Sequence, residues 1–259
     1  MAGPIGRTET WIRRFHPAPQ SDIRLVCFPH VGGSASFFFP ISHTLSPAID
    51  VLAVQYPARQ DRLHEKGVDN LAELAELCVA ALCCWNDRPL ALFGHSMGAT
   101  LAFEVARRLE RAGQQPAHLF VSGRRAPHIL RDEQVHLRDD AGLVADLMTY
   151  GGMNVALLND EDILQMILPA LRSDYKAIET YVHQPGPKLN CPVHVLIGDS
   201  DPRVTVEEAQ AWAQHTSDLF DLRVFTGGHF YLSDRVREIT EAISRCLGLD
   251  PNGRTPALG

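Results

Sequence analysis

Six short apolar runs, at 23–28, 50–56, 90–93, 117–122, 193–197 and 222–225, constrain the fold of this chain more than any other feature. They are rich in Val, Leu, Ile and Phe and barely alternate, as strands buried on both faces of a parallel sheet do. Segments of helical period separate them. Over 70–85, Leu71, Leu74, Ala75, Cys78, Leu82 and Trp85 share one face, with Asn70 placed as an N-cap. Over 99–112, Leu101, Ala102, Val105, Ala106 and Leu109 do the same, and Gly113 suits the position just past the helix. Helices are also predicted over 205–215 and 233–247. Strand, helix, strand in repetition predicts an α/β fold, a mostly parallel central sheet flanked by helices, with right-handed crossovers.

One stretch breaks the rhythm. Between 135 and 184 no strand is predicted, and helical pattern runs over 142–150 and 161–181 around Gly151 and Gly152. That is far longer than an ordinary connection, so it reads as an inserted helical lid over a binding site. The domain expected is a single one over 1–250, with the lid at 135–184 and a frayed tail at 251–259.

Composition excludes several classes. With 45% hydrophobic and 21% charged residues, 259 residues suffice for one large core. A net charge of −7 argues against broad nucleic-acid binding. No apolar run is long enough to span a bilayer, and no signal segment opens the chain. The six cysteines, at 27, 78, 83, 84, 191 and 246, show no C-x-x-C pair or zinc spacing, so no metal is expected. They read as reduced thiols, and adjacent Cys83 and Cys84 should point apart on a helix. A cytoplasmic monomer is expected.

Gly94-His95-Ser96-Met97-Gly98 fits G-x-S-x-G. Alone the pattern is weak. Here it follows a predicted strand and opens a predicted helix, where a serine must take strained backbone angles and expose its hydroxyl. Ser96 is therefore the candidate nucleophile. It needs a base and an orienting carboxylate, in the chain order Ser, Asp or Glu, His. Among twelve histidines, His229 lies in Gly227-Gly228-His229-Phe230 directly after the last predicted strand. His118 and His194 fall in strands, His95 is expected to pack, and His16, His43, His64 and His215 read as loop or solvent-facing. For the acid, Gly198-Asp199-Ser200-Asp201-Pro202 offers two carboxylates. Asp201, where Pro202 turns the loop, is favoured; Asp199 could instead bond its own backbone in an Asx turn. Oxyanion donors are expected from the Met97 N–H and from the loop 27–34, where Val31 is favoured over His30. These residues describe a serine acyl hydrolase.

The segments CFPHVGGSASFFFP, VQYPARQDRL, LALFGHSMGATLAFEVARRL, GDSDPRV and GGHFYL, in this order, resemble the type II thioesterases of polyketide and nonribosomal peptide assembly lines. The lid stretch ILPALRSDYKAIETY also looks like that family's P-x-L-R-x-D…Y pattern, and the similarity spans about 12–247. Ala58 departs from it, since the family commonly carries Gly there. The resemblance implies an α/β-hydrolase fold and hydrolysis of acyl groups from the phosphopantetheine arm of acyl or peptidyl carrier domains of a multimodular synthase. No cofactor of the chain's own is implied. Ser96 would attack, His229 would carry the proton, Asp201 would hold the His229 tautomer, and Met97 and Val31 would bind the oxyanion. Because Met1 opens the domain at once, a discrete enzyme acting in trans is expected. Carrier domains are usually acidic, so Arg59, Arg62, Arg124, Arg125 and Arg131 are candidates for a docking patch.

Overall fold

The computed structural model describes residues 10–150 and 160–249. Its centre is a seven-stranded sheet: β1 (Ile12–Arg13), β2 (Arg24–Phe28), β3 (Asp50–Val54), β4 (Leu90–His95), β5 (His118–Ser122), β6 (Val193–Gly198) and β7 (Phe220–Phe225), in the order β1-β3-β2-β4-β5-β6-β7. Only the β1–β3 pair is antiparallel. Strands β2, β3, β4 and β6 are buried at every residue, which is why their sequences show no alternation.

Successive side chains still part to opposite faces. Val26, Phe28, Leu52, Leu92, Leu119 and Val195 pack on one side. There they meet α2 (Leu71–Leu82) and α3 (Met97–Arg111). Leu25, Cys27, Val51, Ala91, Phe93 and Phe120 pack on the other, against α1 (Phe39–Leu45) and α8 (Val236–Cys246). Asn70 caps α2 by accepting the Glu73 N–H at 3.0 Å, and Gly113 takes φ 77° just past α3.

Two inserted helices, α4 (Asp140–Thr149) and α5 (Glu161–Glu179), join β5 to β6. Their apolar faces form a third cluster, Leu143, Leu147, Leu168, Leu171 and Tyr175, joined by Val135 of the 3₁₀ segment before α4 and by Val31 from the loop after β2. Gly151 and Gly152, and the expected tail at 251–259, lie outside the described residues. No helix among the described residues is long and apolar enough to cross a membrane.

Several expectations need correcting. The two-residue edge strand β1 and helix α1 carry too little period to be read from sequence. The helix expected over 205–215 is α6 (Val206–Gln210) followed by a 3₁₀ segment, Ala211–His215, with Thr205 and Glu208 forming a capping box. The one expected over 233–247 is two, α7 (Tyr231–Asp234) and α8, parted at Arg235, whose φ and ψ are −117° and 26°. Helix α2 stops at Leu82 with Cys83 as its C-cap; Cys83 and Cys84 are both exposed, and their sulfurs lie 3.5 Å apart instead of pointing away from each other.

Candidate active site

Ser96 sits between β4 and α3 with φ 55° and ψ −118°, a conformation costly for any residue with a side chain. Its neighbours make the turn feasible. A Cβ on Gly94 would fall 2.0 Å from the Gly98 carbonyl oxygen, and one on Gly98 would fall 2.0 Å from that of Phe28. Both flanking glycines of the motif are thus required by close backbone approach. The Ser96 N–H is anchored to the Ser122 carbonyl at 2.8 Å.

His229 arrives from the loop after β7. Its Nε2 lies 3.0 Å from Ser96 Oγ, and its Nδ1 lies 3.0 and 2.9 Å from the two oxygens of Asp201. Asp201 comes from the loop after β6, where its carboxylate also accepts the Arg203 N–H at 2.8 Å. Both side chains are buried, at 6% and 8% residue exposure, so the imidazole has few alternative partners. The structure therefore brings Ser96, His229 and Asp201 into one hydrogen-bonded line from three strand ends. Asp199 lies elsewhere: it accepts the Gly227 N–H at 3.0 Å and the Ser200 hydroxyl at 2.9 Å, tying its loop to the one that carries His229. These bonds hold its carboxyl below the usual range, the Gly227 N–H being the larger cause.

Val31 and Met97 both line the cavity at Ser96. Met97 is the first residue of α3, so its N–H has no partner within the helix, and the helix end favours negative charge there. The cavity is narrow, about 40 Å³, and Leu147, Tyr150, Tyr175 and Ile178 reach it from the inserted helices and their ends.

Aromatic rings surround the imidazole. His95 and Phe230 lie 5.0 and 5.1 Å from His229 between ring centroids. His30 packs between Phe37 and Phe230 at 4.6 and 4.7 Å. Burial lowers the His30 pKa to about 4 and lowers that of His95 as well, so both rings are neutral at pH 7. His95 packs, as its place in the motif suggests, with Nδ1 3.0 Å from the Ser122 hydroxyl. His118 and His194 bond to each other at 3.0 Å. His215 departs from expectation: it packs among Phe103, His183 and Trp212 instead of facing solvent.

Sequence reasoning missed the charged residues behind the site. Arg203 places its guanidinium 3.9 Å over the Tyr150 ring, pairs with Asp146 of α4, and lies 3.4 Å from Glu133. Asp146 also accepts the Tyr175 hydroxyl of α5 at 2.7 Å. Arg59 grips Asp174 of α5 through two bonds of 2.8 and 2.9 Å. Arg59, Asp174 and Arg203 all lie within the segments that carry the family resemblance, but nothing in those segments says which charge meets which.

The same geometry corrects the docking patch. Arg59, Arg62 and Arg125 are buried, paired with Asp174, Glu65 and Glu133, and Arg131 is bound to Glu208. Arg124 lines the cavity, where burial lowers its pKa to about 9. Loop positions suggested free surface charge, but these side chains are already engaged, Arg62 and Arg125 by carboxylates three and eight residues on and Arg59 and Arg131 by carboxylates far along the chain. As to metals, His194, Asp221 and Cys246 place ligand atoms within 4.8 Å of one another. Arg223 already sits on them, 2.7 Å from Asp221 and 3.6 Å from the Cys246 sulfur.

The arrangement suits acyl transfer through a serine ester. Residues 23–247 match the thioesterase domain family. The thioesterase PikA5 of Streptomyces venezuelae is 52% identical over 236 residues, 90% of this chain and 84% of that protein. Among solved structures, the type II thioesterase BorB from the borrelidin biosynthetic cluster superposes with a TM-score of 0.87 at 50% identity, covering 92% of this chain and 98% of that one. YbtT, the type II thioesterase from the yersiniabactin NRPS/PKS pathway, gives 0.84 at 32% identity, covering 94% and 99%. The fold is that of the α/β hydrolases, and the chain belongs to the thioesterase domain family.

Proposed function

We propose that this chain is a type II editing thioesterase that hydrolyses aberrant or stalled acyl groups from the phosphopantetheine arm of carrier domains in polyketide or nonribosomal peptide synthases. The observation that carries the reading is the continuous line from Ser96 Oγ through His229 to Asp201, opening on a lidded cavity. Similarity to enzymes described as type II thioesterases of biosynthetic clusters supports the substrate class.

In this reading Ser96 Oγ attacks the thioester carbonyl while His229 Nε2 takes its proton. The Met97 and Val31 N–H groups hold the oxyanion. Collapse breaks the carbon–sulfur bond, and His229 returns its proton to the departing thiolate. A water then gives its proton to His229 and attacks the acyl-serine, and the second collapse restores Ser96 and frees the acid. Asp201 holds His229 in the tautomer that accepts at Nε2 and stabilises the imidazolium. Residues 1–250 form one catalytic domain acting as a monomer, and 135–184 form its lid. The quoted segments also resemble those of the external thioesterase of the rifamycin assembly line, and service to an assembly line of that kind is part of this reading.

The test is a panel of acetyl-, propionyl-, malonyl- and aminoacyl-carrier proteins beside oxygen esters of matched chain length. Turnover of carrier-bound acyl groups, with decarboxylated units preferred, is expected. Faster turnover of the oxygen esters would favour a general esterase, and product only with an added alcohol or amine would favour an acyltransferase.

A further inference from the structure

The inserted helix α5 does more than roof the cavity. Asp174, 1% exposed, lies on its inner side and accepts the Gly32 N–H at 2.8 Å. Gly32 directly follows Val31, and its φ of 69° turns the backbone at that point. The same carboxylate takes both arms of Arg59, whose Nη1 also donates to the Gly33 carbonyl at 2.9 Å and whose Nε donates to that of Pro57 at 3.1 Å. Leu171, one turn earlier on α5, closes over the loop so tightly that a Cβ on Gly32 would come within 2.5 Å of its Cδ2. Val31 itself packs into the cluster of the inserted helices. The two peptide units after Val31 are thus held from the lid side by a buried, fully paired ion.

We infer that Asp174 is a positioning residue for the oxyanion site: through the Gly32 N–H and the Arg59 clamp it fixes the backbone that presents the Val31 N–H beside Ser96. The inference rests on Val31 as the oxyanion donor proposed above. A carboxylate is suited to the task. It accepts from a backbone N–H and a planar guanidinium at once, which a neutral side chain of that size cannot do with equal strength. Two consequences follow from the geometry. The loop's position depends on α5 being seated, so an acyl group that pushes α5 outward loosens the oxyanion donor. And the loss from removing Asp174 falls on the tetrahedral state, where the donor acts, more than on substrate binding.

The test compares Asp174→Asn with the double variant Asp174→Leu/Arg59→Met, which removes both buried charges together and so spares the fold an unpaired guanidinium. Turnover is read on a short p-nitrophenyl ester, so the outcome does not depend on the thioester reading. Failure on carrier-bound substrates alone would count against that reading and not against this one. Expected are a fall in kcat of about 10- to 100-fold with KM within about twofold. Affinity for an alkyl trifluoromethyl ketone, whose adduct bears the oxyanion, should weaken by a similar factor. The double variant should recover thermal stability and remain slow. If it recovers both stability and kcat, or if kcat falls with ketone affinity unchanged, the inference is overturned; should Asp174→Asn not fold, the double variant alone decides.

Discussion

The catalytic line and the inserted helices are held in place by different forces. Ser96, Asp201 and His229 stand on loops at the ends of β4, β6 and β7, and their positions follow from backbone: a strained turn, close glycine contacts and paired strands. The inserted helices rest on the sheet through a small apolar cluster and through side-chain ion pairs, Arg59 with Asp174 and Arg203 with Asp146. Backbone-held geometry tolerates side-chain loss well, whereas a buried ion pair fails when one partner is removed. Mutations in the first region should therefore stop chemistry in a folded protein, and mutations in the second should cost stability and alignment together.

The largest effect tests the first half of that contrast. Ser96→Ala should lower kcat by about 10⁵- to 10⁶-fold and abolish labelling by a fluorophosphonate, with the melting temperature kept, since alanine leaves the same strained turn and its backbone bond to Ser122 in place. Asp201→Asn should lower kcat by about 10⁴-fold by favouring the wrong His229 tautomer. Asp199→Asn, which keeps an acceptor for the Gly227 N–H, should lose less than about 10-fold. Turnover and circular dichroism on the three variants check this. If Asp199→Asn collapses turnover while Asp201→Asn does not, the triad acid is misassigned.

The second half is tested at Arg203. Its backbone N–H supports the Asp201 carboxylate while its guanidinium holds Asp146, so the acid loop and α4 share one residue. Arg203→Met removes the nearest cation from buried Asp146, while Glu133 keeps Arg125, and should destabilise by about 3–5 kcal/mol. Adding Asp146→Leu should restore much of that. Urea unfolding decides it: equal stability of the single and double variants would show that the pair is not what seats α4.

The contrast also explains what the sequence made legible. Strands buried on both faces show themselves as short apolar runs, and the turn chemistry of Gly94 and Gly98 marks the strand-to-helix elbow at Ser96 locally. Order along the chain then sorts His229 from eleven other histidines. The inserted helices also show in their period over 142–150 and 161–181, but what seats them does not. Arg59 and Asp174 are 115 residues apart, and nothing near either one names its partner. The arginines that looked available for docking turned out to be paired as well, Arg131 with Glu208 77 residues away and Arg62 with Glu65 three residues on. Edge strand β1 and helix α1 were missed for a simpler cause, being too short to show a period.

A smaller effect concerns acid. His194 and His215 lie away from the cavity, and burial lowers each from 6.5 to about 4. Between those values the unfolded chain holds protons that the folded one refuses, so falling pH favours unfolding. Their contribution is complete above about pH 6.5 and is lost progressively towards pH 4. After solvent screening it amounts to about 1 kcal/mol each. His194→Phe, stacked against Phe120 in the same place, should flatten the pH dependence of the urea midpoint over that range. An unchanged slope would mean that other groups carry it.

The smallest effect lies where backbone and side-chain support meet. Ala58, next to the Arg59 clamp, takes φ 67°, a backbone region that favours glycine. An Ala in that region costs about 1–2 kcal/mol. Replacing it by Gly would relieve the strain but free the unfolded chain by about 0.4–1 kcal/mol. It would also remove a methyl buried to 3% exposure, worth about 0.8 kcal/mol. These terms nearly cancel, which accounts for Ala being tolerated at a turn that favours Gly. Ala58→Gly should then move the melting temperature by no more than about 2–4 °C, with kcat unchanged. A rise well beyond that range would mean that Ala58 strains the loop leading to Arg59, and that the clamp on Asp174 is held against resistance from its own backbone.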